Sequence, residues 1–198
     1  MKKGRKRLRI PVIRRIYADL FDTIMARSSE RDFLDKEIDY EKIDVIMESA
    51  RWAPSWQNKQ CWEYIVVKNK NLIKEIAKSS SFVNLWIAKA PCIIVSCADP
   101  SLSGFRDGLP YFLVDTAIAT EHLVLAATAL GFGTCWVGAF NEEKIKELLE
   151  IPENIRIVAL IPIGYPVPQK PTRVTVTNLI LSSNRRKWTD EFVHWEKW

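Results

Sequence analysis

Apolar positions along the chain follow helical spacing in some stretches and run as short apolar or alternating blocks in others, so helices and strands interleave. Between Val12 and Met25, Ile13, Ile16, Tyr17, Leu20, Phe21 and Ile24 recur at helical spacing and predict an amphipathic helix. A second helix is expected after Asp39, a suitable N-cap, running through Ile43, Ile46, Met47 and Ala50 until Pro54 ends it. Trp62–Lys68 reads as a strand, Leu72–Ser79 as a short helix and Pro91–Ala98 as a buried strand bounded by Asp99-Pro100, followed by a loop over 99–110. Asp115–Leu130 predicts a long helix, apolar on most sides and stopped by Gly131; it must be buried in a core or against another subunit. Asn141 suits the cap of a helix through Leu149, Ile155–Ile163 reads as a strand, and Thr172–Ile180 alternates as another. The stretch that ends the chain, through Trp188, Trp195 and Trp198, is too aromatic for a solvated tail and is expected to pack on protein. This order implies one α+β domain around a mixed sheet, without internal repeats.

The length of 198 residues and 47% hydrophobic content support a single domain with a substantial core, assigned to residues 16–198. The formal charge of +5 raises the question of a nucleic-acid partner. However, Lys2, Lys3, Arg5, Lys6, Arg7, Arg9, Arg14 and Arg15 carry eight positive charges with no acid among residues 1–15, and subtracting those eight from +5 leaves −3. The excess belongs to a basic arm, residues 1–15, read as flexible and solvated, with nucleic-acid or anionic-lipid contact as the minor reading. Arg14, Arg15, Asp19 and Asp22 interrupt any signal-peptide core, and no uncharged apolar stretch of about 18 residues is present, so neither export nor a membrane span is expected. Cys61, Cys92, Cys97 and Cys135 are widely spaced, with only His122 and His194 to help them hold a metal, and no metal centre is predicted. Cys92 and Cys97 read as small buried hydrophobes, a usage that suits a reducing cytoplasm.

Three segments carry candidate chemistry. Arg27-Ser28-Ser29-Glu30-Arg31 places two guanidinium groups and two hydroxyls within five positions, a set that suits a phosphate monoester; the competing reading pairs the arginines with Glu30 and Asp32 on a solvated helix end. Pro54-Ser55-Trp56-Gln57-Asn58 lies on a turn between helix and strand, where polar groups can meet a planar ligand, although such a turn can equally satisfy only itself. Trp56 has ordinary core packing as its alternative, and for Trp62 core packing is preferred. Gly131-Phe132-Gly133 follows a helix and enters a strand, the reverse of the order a dinucleotide fingerprint needs, so Rossmann-type binding is rejected. Asp115 and His122, on the long helix, are given no role.

Together and in this order, the segments resemble the nitroreductase family of FMN-dependent oxidoreductases, over roughly residues 20–198. The resemblance implies a central mixed, mainly antiparallel sheet flanked by helices, in an intertwined homodimer with FMN at the interface. It assigns Arg27 and Ser29 to the FMN phosphate and ribityl chain, counts Ser28 among the cofactor-binding residues, and places Arg31 near the pyrimidine edge, where a cation favours the charge that reduction leaves. It implies that Pro54, Ser55, Trp56 and Asn58 reach the cofactor from the partner subunit. Trp136, Val137, Gly138 and Ala139 would run beside the isoalloxazine, with the Gly138 N–H on flavin N5. Arg185 and Arg186 match a late basic pair at the phosphate, with Trp188 standing where a proline is expected. The implied reaction takes electrons from NADH or NADPH and passes them, through one site, to a small electron-poor acceptor such as a nitroaromatic or quinone. A dehalogenase or flavin-fragmenting reaction on the same fold, and a non-enzymatic flavin-binding or nucleic-acid-associated protein, are the alternatives.

Overall fold

β2 (Cys92–Ala98) is apolar throughout except for Ser96, because both of its faces are covered. The structure, a computed structural model, describes residues 20–168 and 186–198; the basic arm, most of the helix expected over Val12–Met25 and the strand expected over Thr172–Ile180 lie outside the described residues. β2 pairs antiparallel with β1 (Trp62–Val67) on one side and with β6 (Arg156–Gly164) on the other, and β6 pairs antiparallel with the short β5 (Gly133–Thr134), giving the order β1-β2-β6-β5.

Alternation along the strands sorts the core into two layers. Cys92, Ile94, Ala159, Ile161 and Ile163 pack with Ile43 and Ile46 of α2 (Tyr40–Arg51) and with Leu123 and Val124 of α4 (Tyr111–Ala129). Ile93, Val95, Cys97, Ile157 and Leu160 pack with Ile73 and Ile76 of α3 (Lys70–Lys78) and with Ile145 of α5 (Glu142–Leu149). Ile157 shares a face with Leu160 because the register skips Val158: Ser96 opposes Ala159 while Cys97 opposes Ile157, a β-bulge that inverts the alternation.

The predicted elements form close to their expected bounds, with three differences of physical origin. Asp39 precedes α2 but makes no side-chain cap bond, its carboxylate lying instead 3.4 Å from Lys42 Nζ. α4 starts at Tyr111 rather than Asp115, because Pro110 occupies the N-cap, where the missing N–H costs nothing. Residues 99–110 hold a one-turn 3₁₀ helix and a minimal hairpin, β3 (Phe105–Arg106) with β4 (Leu109–Pro110), closed by Asp107 (φ 52°) and Gly108 (φ 83°). Asn141 and Asn69 do cap α5 and α3, accepting from the Lys144 N–H and from the Asn71 and Leu72 N–H groups. α1 (Leu20–Ala26) buries only Thr23, and Leu20 and Phe21 are 63% and 73% exposed.

α4 has the length and, at 1.3, the mean hydropathy of a membrane span, but Asp115 and Glu121 interrupt it and its inner face sits on the sheet. There Thr120 shares hydrogen bonds with Ser96 (2.6 Å) and Tyr64 (3.3 Å), and burial pushes the Tyr64 phenol up to about 12. The chain divides after Val167 into a second unit, Pro168–Trp198. In its described part Thr189–Glu191 make one 3₁₀ turn, the rings of His194 and Trp198 lie 4.5 Å apart, and Trp188, Trp195 and Trp198 are exposed in the single chain.

Candidate functional site

The first segment leaves α1 and runs beside β5. Ser29 and Thr134 form a parallel bridge, and the Glu30 N–H donates to the Thr134 carbonyl at 2.8 Å. So close an approach requires Gly133, where a Cβ would stand 2.5 Å from Glu30 Cγ. The ribbon continues past Phe33, which bridges Pro166, so segments one and three form one surface.

Arg27 and Arg31 are half-buried on this surface. Neither takes the carboxylate partner that the competing reading supplies: the Ser28 hydroxyl donates to Glu30, and Asp32 pairs with Lys89 at 3.1 Å. Among the described residues the guanidinium groups have no carboxylate, and Arg31 makes one long hydrogen bond, 3.3 Å, to the Ser29 carbonyl. Both act on the buried Cys135 thiol. Burial raises its pKa, opposed by the charge of Arg31, a hydrogen bond from Ser29 and the charge of Arg27. The Glu30 carboxylate acts on the same thiol in the opposite sense, and the two guanidinium groups, with no carboxylate bonded to them among the described residues, keep hydrogen-bonding capacity for an anion.

In the third segment Val137 exchanges both backbone hydrogen bonds with Leu160, at 3.0 and 2.9 Å, and the Trp136 indole donates to Glu121 of α4 at 3.0 Å. In such a narrow antiparallel pair the next residue faces away from the ladder. Gly138 does so: its N–H has no acceptor among the described residues, and a Cβ placed on it would meet nothing within 4 Å. Ala139 is exposed beside it, and its carbonyl accepts from the Ser81 N–H (3.1 Å) and Asn84 Nδ2 (3.2 Å). This brings the exposed Phe82 and Val83 alongside, a neighbourhood that sequence reasoning missed and for which no local motif exists.

The second segment is anchored elsewhere. Pro54 and Asn58 are exposed, Ser55 Oγ accepts the Gln60 N–H at 2.9 Å, and Gln57, Asn58 and Gln60 all have positive φ, at 49°, 57° and 52°. Three non-glycine residues in the left-handed region within four positions mark a backbone held by its surroundings. The holder is α4: the Trp56 N–H donates to Asp115 at 2.9 Å, and the Trp56 ring lies 4.6 Å from that of Tyr111. The Trp56 indole also covers Gly104, where a Cβ would come within 2.4 Å of it. Trp62 packs against the core, as preferred. Asp115 and Glu121 are six residues apart, roughly 9 Å along the helix and about 120° around it. The turn and the Trp136 segment therefore attach to different faces of α4, and among the described residues the bonds that hold the turn run to α4 and within itself, not to the other two segments.

The residues present fit an FMN-like ligand, with uncompensated guanidinium groups for a phosphate, an open backbone N–H for a ring nitrogen, and an uncovered flank along Gly138 and Ala139. Arg185 lies outside the described residues; Arg186 is exposed in the second unit.

Comparison with known proteins bears on the same stretches. The model of the nitroreductase family matches residues 24–84 and 81–165. A protein of Archaeoglobus fulgidus, provisionally named an NADH dehydrogenase/NAD(P)H nitroreductase, is 37% identical over 153 residues, covering 74% of this chain and 85% of the relative. An FMN reductase (NAD(P)H) of Bacillus subtilis is 30% identical over 165 residues, covering 75% and 66%. The crystal structure of a nitroreductase family protein from Clostridium novyi NT superposes with a TM-score of 0.73 at 42% identity, over 76% of this chain and 86% of that one. With all three segments inside or abutting these matches, and their paired ribbon among the matched residues, this chain belongs to the nitroreductase family.

Proposed function

We propose that this protein is an FMN-dependent oxidoreductase that uses NAD(P)H to reduce nitroaromatic, quinone or similar electron-poor acceptors in alternate half-reactions at one site. The observation that carries this reading is the pair of guanidinium groups, Arg27 and Arg31, without a carboxylate partner among the described residues, on a segment bridged to β5, the strand that leads to the open Gly138 N–H. When bound, FMN supplies the two-electron chemistry, accepting hydride from NAD(P)H and delivering it to the acceptor.

The chain's own residues bind and tune. Arg27 and Ser29 hold the phosphate and the chain next to it, with Ser28 beside them. Arg31 sets a fixed positive charge where the reduced ring accumulates negative charge, which favours reduction. The Gly138 N–H would donate to a flavin ring nitrogen, and Glu121 holds the Trp136 indole so that Trp136–Ala139 form a fixed wall. The open side of Gly138, bordered by Phe82 and Val83, admits flat donors and acceptors in turn. Pro54, Ser55, Trp56 and Asn58 sit on a different face of α4 from Trp136, which supports a homodimer in which each turn serves the partner's cofactor. Exposed Leu113 and Val114 on α4, and Phe21 and Met25 on α1, supply apolar surface for that association.

The visible spectrum of the purified protein, recorded with and without added FMN and then with NAD(P)H under anaerobic conditions, tests the reading. Yellow protein that bleaches supports it, and a colourless protein that takes up no FMN overturns it. Turnover with a nitroaromatic, against release of halide or breakdown of the flavin, separates it from the other reactions of this fold.

A further inference from the structure

Asp115 is 2% exposed in the middle of the molecule and has no cationic partner among the described residues. A buried carboxylate without a counter-charge is costly, and it is tolerated only where hydrogen bonds compensate it. Both of its oxygens are used. Oδ1 accepts the Trp56 N–H at 2.9 Å, while Oδ2 accepts the Ser103 hydroxyl at 2.7 Å and faces the Cys61 thiol at 3.8 Å. An apolar residue would pack this face of α4 equally well, so packing alone does not account for an acid here.

The groups it collects belong to two separate loops. Trp56 lies on the strained turn Ser55–Gln60, and Ser103 follows the 3₁₀ turn Pro100–Leu102, ahead of the hairpin. A second link joins the same loops, because the Trp56 indole rests on Gly104. We propose that Asp115 is a positioning residue that latches the 99–104 loop to the 54–60 turn, so that the two move as one body. On the reading that this turn contacts FMN, the 99–104 loop and the cofactor contact are then mechanically coupled, and a change in the loop alters cofactor binding without touching the cofactor.

The test uses the full-length protein and its Ser103→Ala, Asp115→Asn and Asp115→Ala variants, with amide hydrogen exchange followed by peptide and FMN affinity measured by titration. Loss of a hydrogen bond to a charged group predicts exchange about tenfold faster at 54–61 and 99–105 in Asp115→Ala, with FMN binding weakened by about the same factor. Asp115→Asn recovers most of both, since its carbonyl still accepts from Trp56 and its amide still meets the Ser103 hydroxyl. The decisive variant is Ser103→Ala, whose hydroxyl bonds none of residues 54–60: exchange there is expected to be about threefold faster, with FMN weakened by about as much. Unchanged exchange at 54–61 in Ser103→Ala, or uniform loosening of the whole domain in the Asp115 variants, overturns the latch. A parent protein that binds no FMN removes the proposed function, while the exchange measurements still decide the latch. If Asp115→Ala does not fold, Ser103→Ala and Asp115→Asn carry the test.

Discussion

Arg27 and Arg31 support the binding surface of the proposed function over a solvated helix end, because the acids that could neutralise them are engaged by Ser28 and Lys89. Replacing either arginine by alanine is expected to weaken FMN by about 1.5–3 kcal/mol, roughly 10- to 150-fold, as titration of the apo-protein will measure, with thermal stability little changed. Gly133→Ala is expected to do similar harm from beneath, since its Cβ would push Glu30 and the attached segment off β5; comparing its FMN affinity with that of the arginine variants checks this. The cysteines behave oppositely to a reactive site. Burial pushes the Cys92 and Cys97 thiols up to about 12 and raises Cys61 and Cys135 as well, so none is expected to react with an alkylating reagent at neutral pH until the protein unfolds, an outcome that mass spectrometry reads directly. The residue types at the candidate site were legible in the sequence, but Asp115 and Glu121 were not assigned roles. Their partners, Trp56 and Trp136, lie 59 and 15 residues away, and a single sequence does not encode which distant donor meets a helical acid.

At the scale of elements, periodicity located α2, α3, α5 and the three long strands, since each buries a face whose spacing is set by its own geometry. The hairpin at 105–110 was missed although Asp107-Gly108, with both residues at positive φ, is a strong short-range hairpin signal; β3 and β4 have two residues each, too few for an alternating pattern. The start of α5 shows a junction that no pattern predicts. Glu142 accepts from Arg156 at 2.9 Å and from the Ile157 N–H at 2.8 Å, tying the helix to the start of β6. Burial would raise its pKa, but the Arg156 hydrogen bond and charge, the Ile157 N–H and Lys146 together hold it below the usual carboxylate value of 4.5. A depressed folded-state pKa stabilises the protein above that value, and the contribution is lost as pH falls through the folded pKa. Glu142→Gln is therefore expected to cost roughly 0.5–1 kcal/mol at neutral pH, with the gap in urea midpoint closing in the acid range below 4.5.

At the scale of the whole molecule, the dimer reading makes a prediction that no single-chain property supplies. If Arg31 and Asn58 of one site come from different subunits, a mixture of Arg31→Ala and Asn58→Ala chains forms heterodimers that each hold one intact site. About a quarter of all sites should then recover, when neither variant alone is active and the subunits assort at random. Recovery of FMN binding on mixing and re-equilibrating the two proteins checks it, and no recovery would place both residues in one subunit. The bridge between Ser29 and Thr134 has a consequence for how the molecule forms. It closes a loop of about a hundred residues, whereas β1 with β2, and α3 with the strand before it, close much shorter ones, and the entropy of closure grows with loop length. This edge, which the proposed function makes the phosphate site, is therefore expected to join the sheet late in refolding, so added FMN should accelerate none of the early phases and should act only by holding the finished state together.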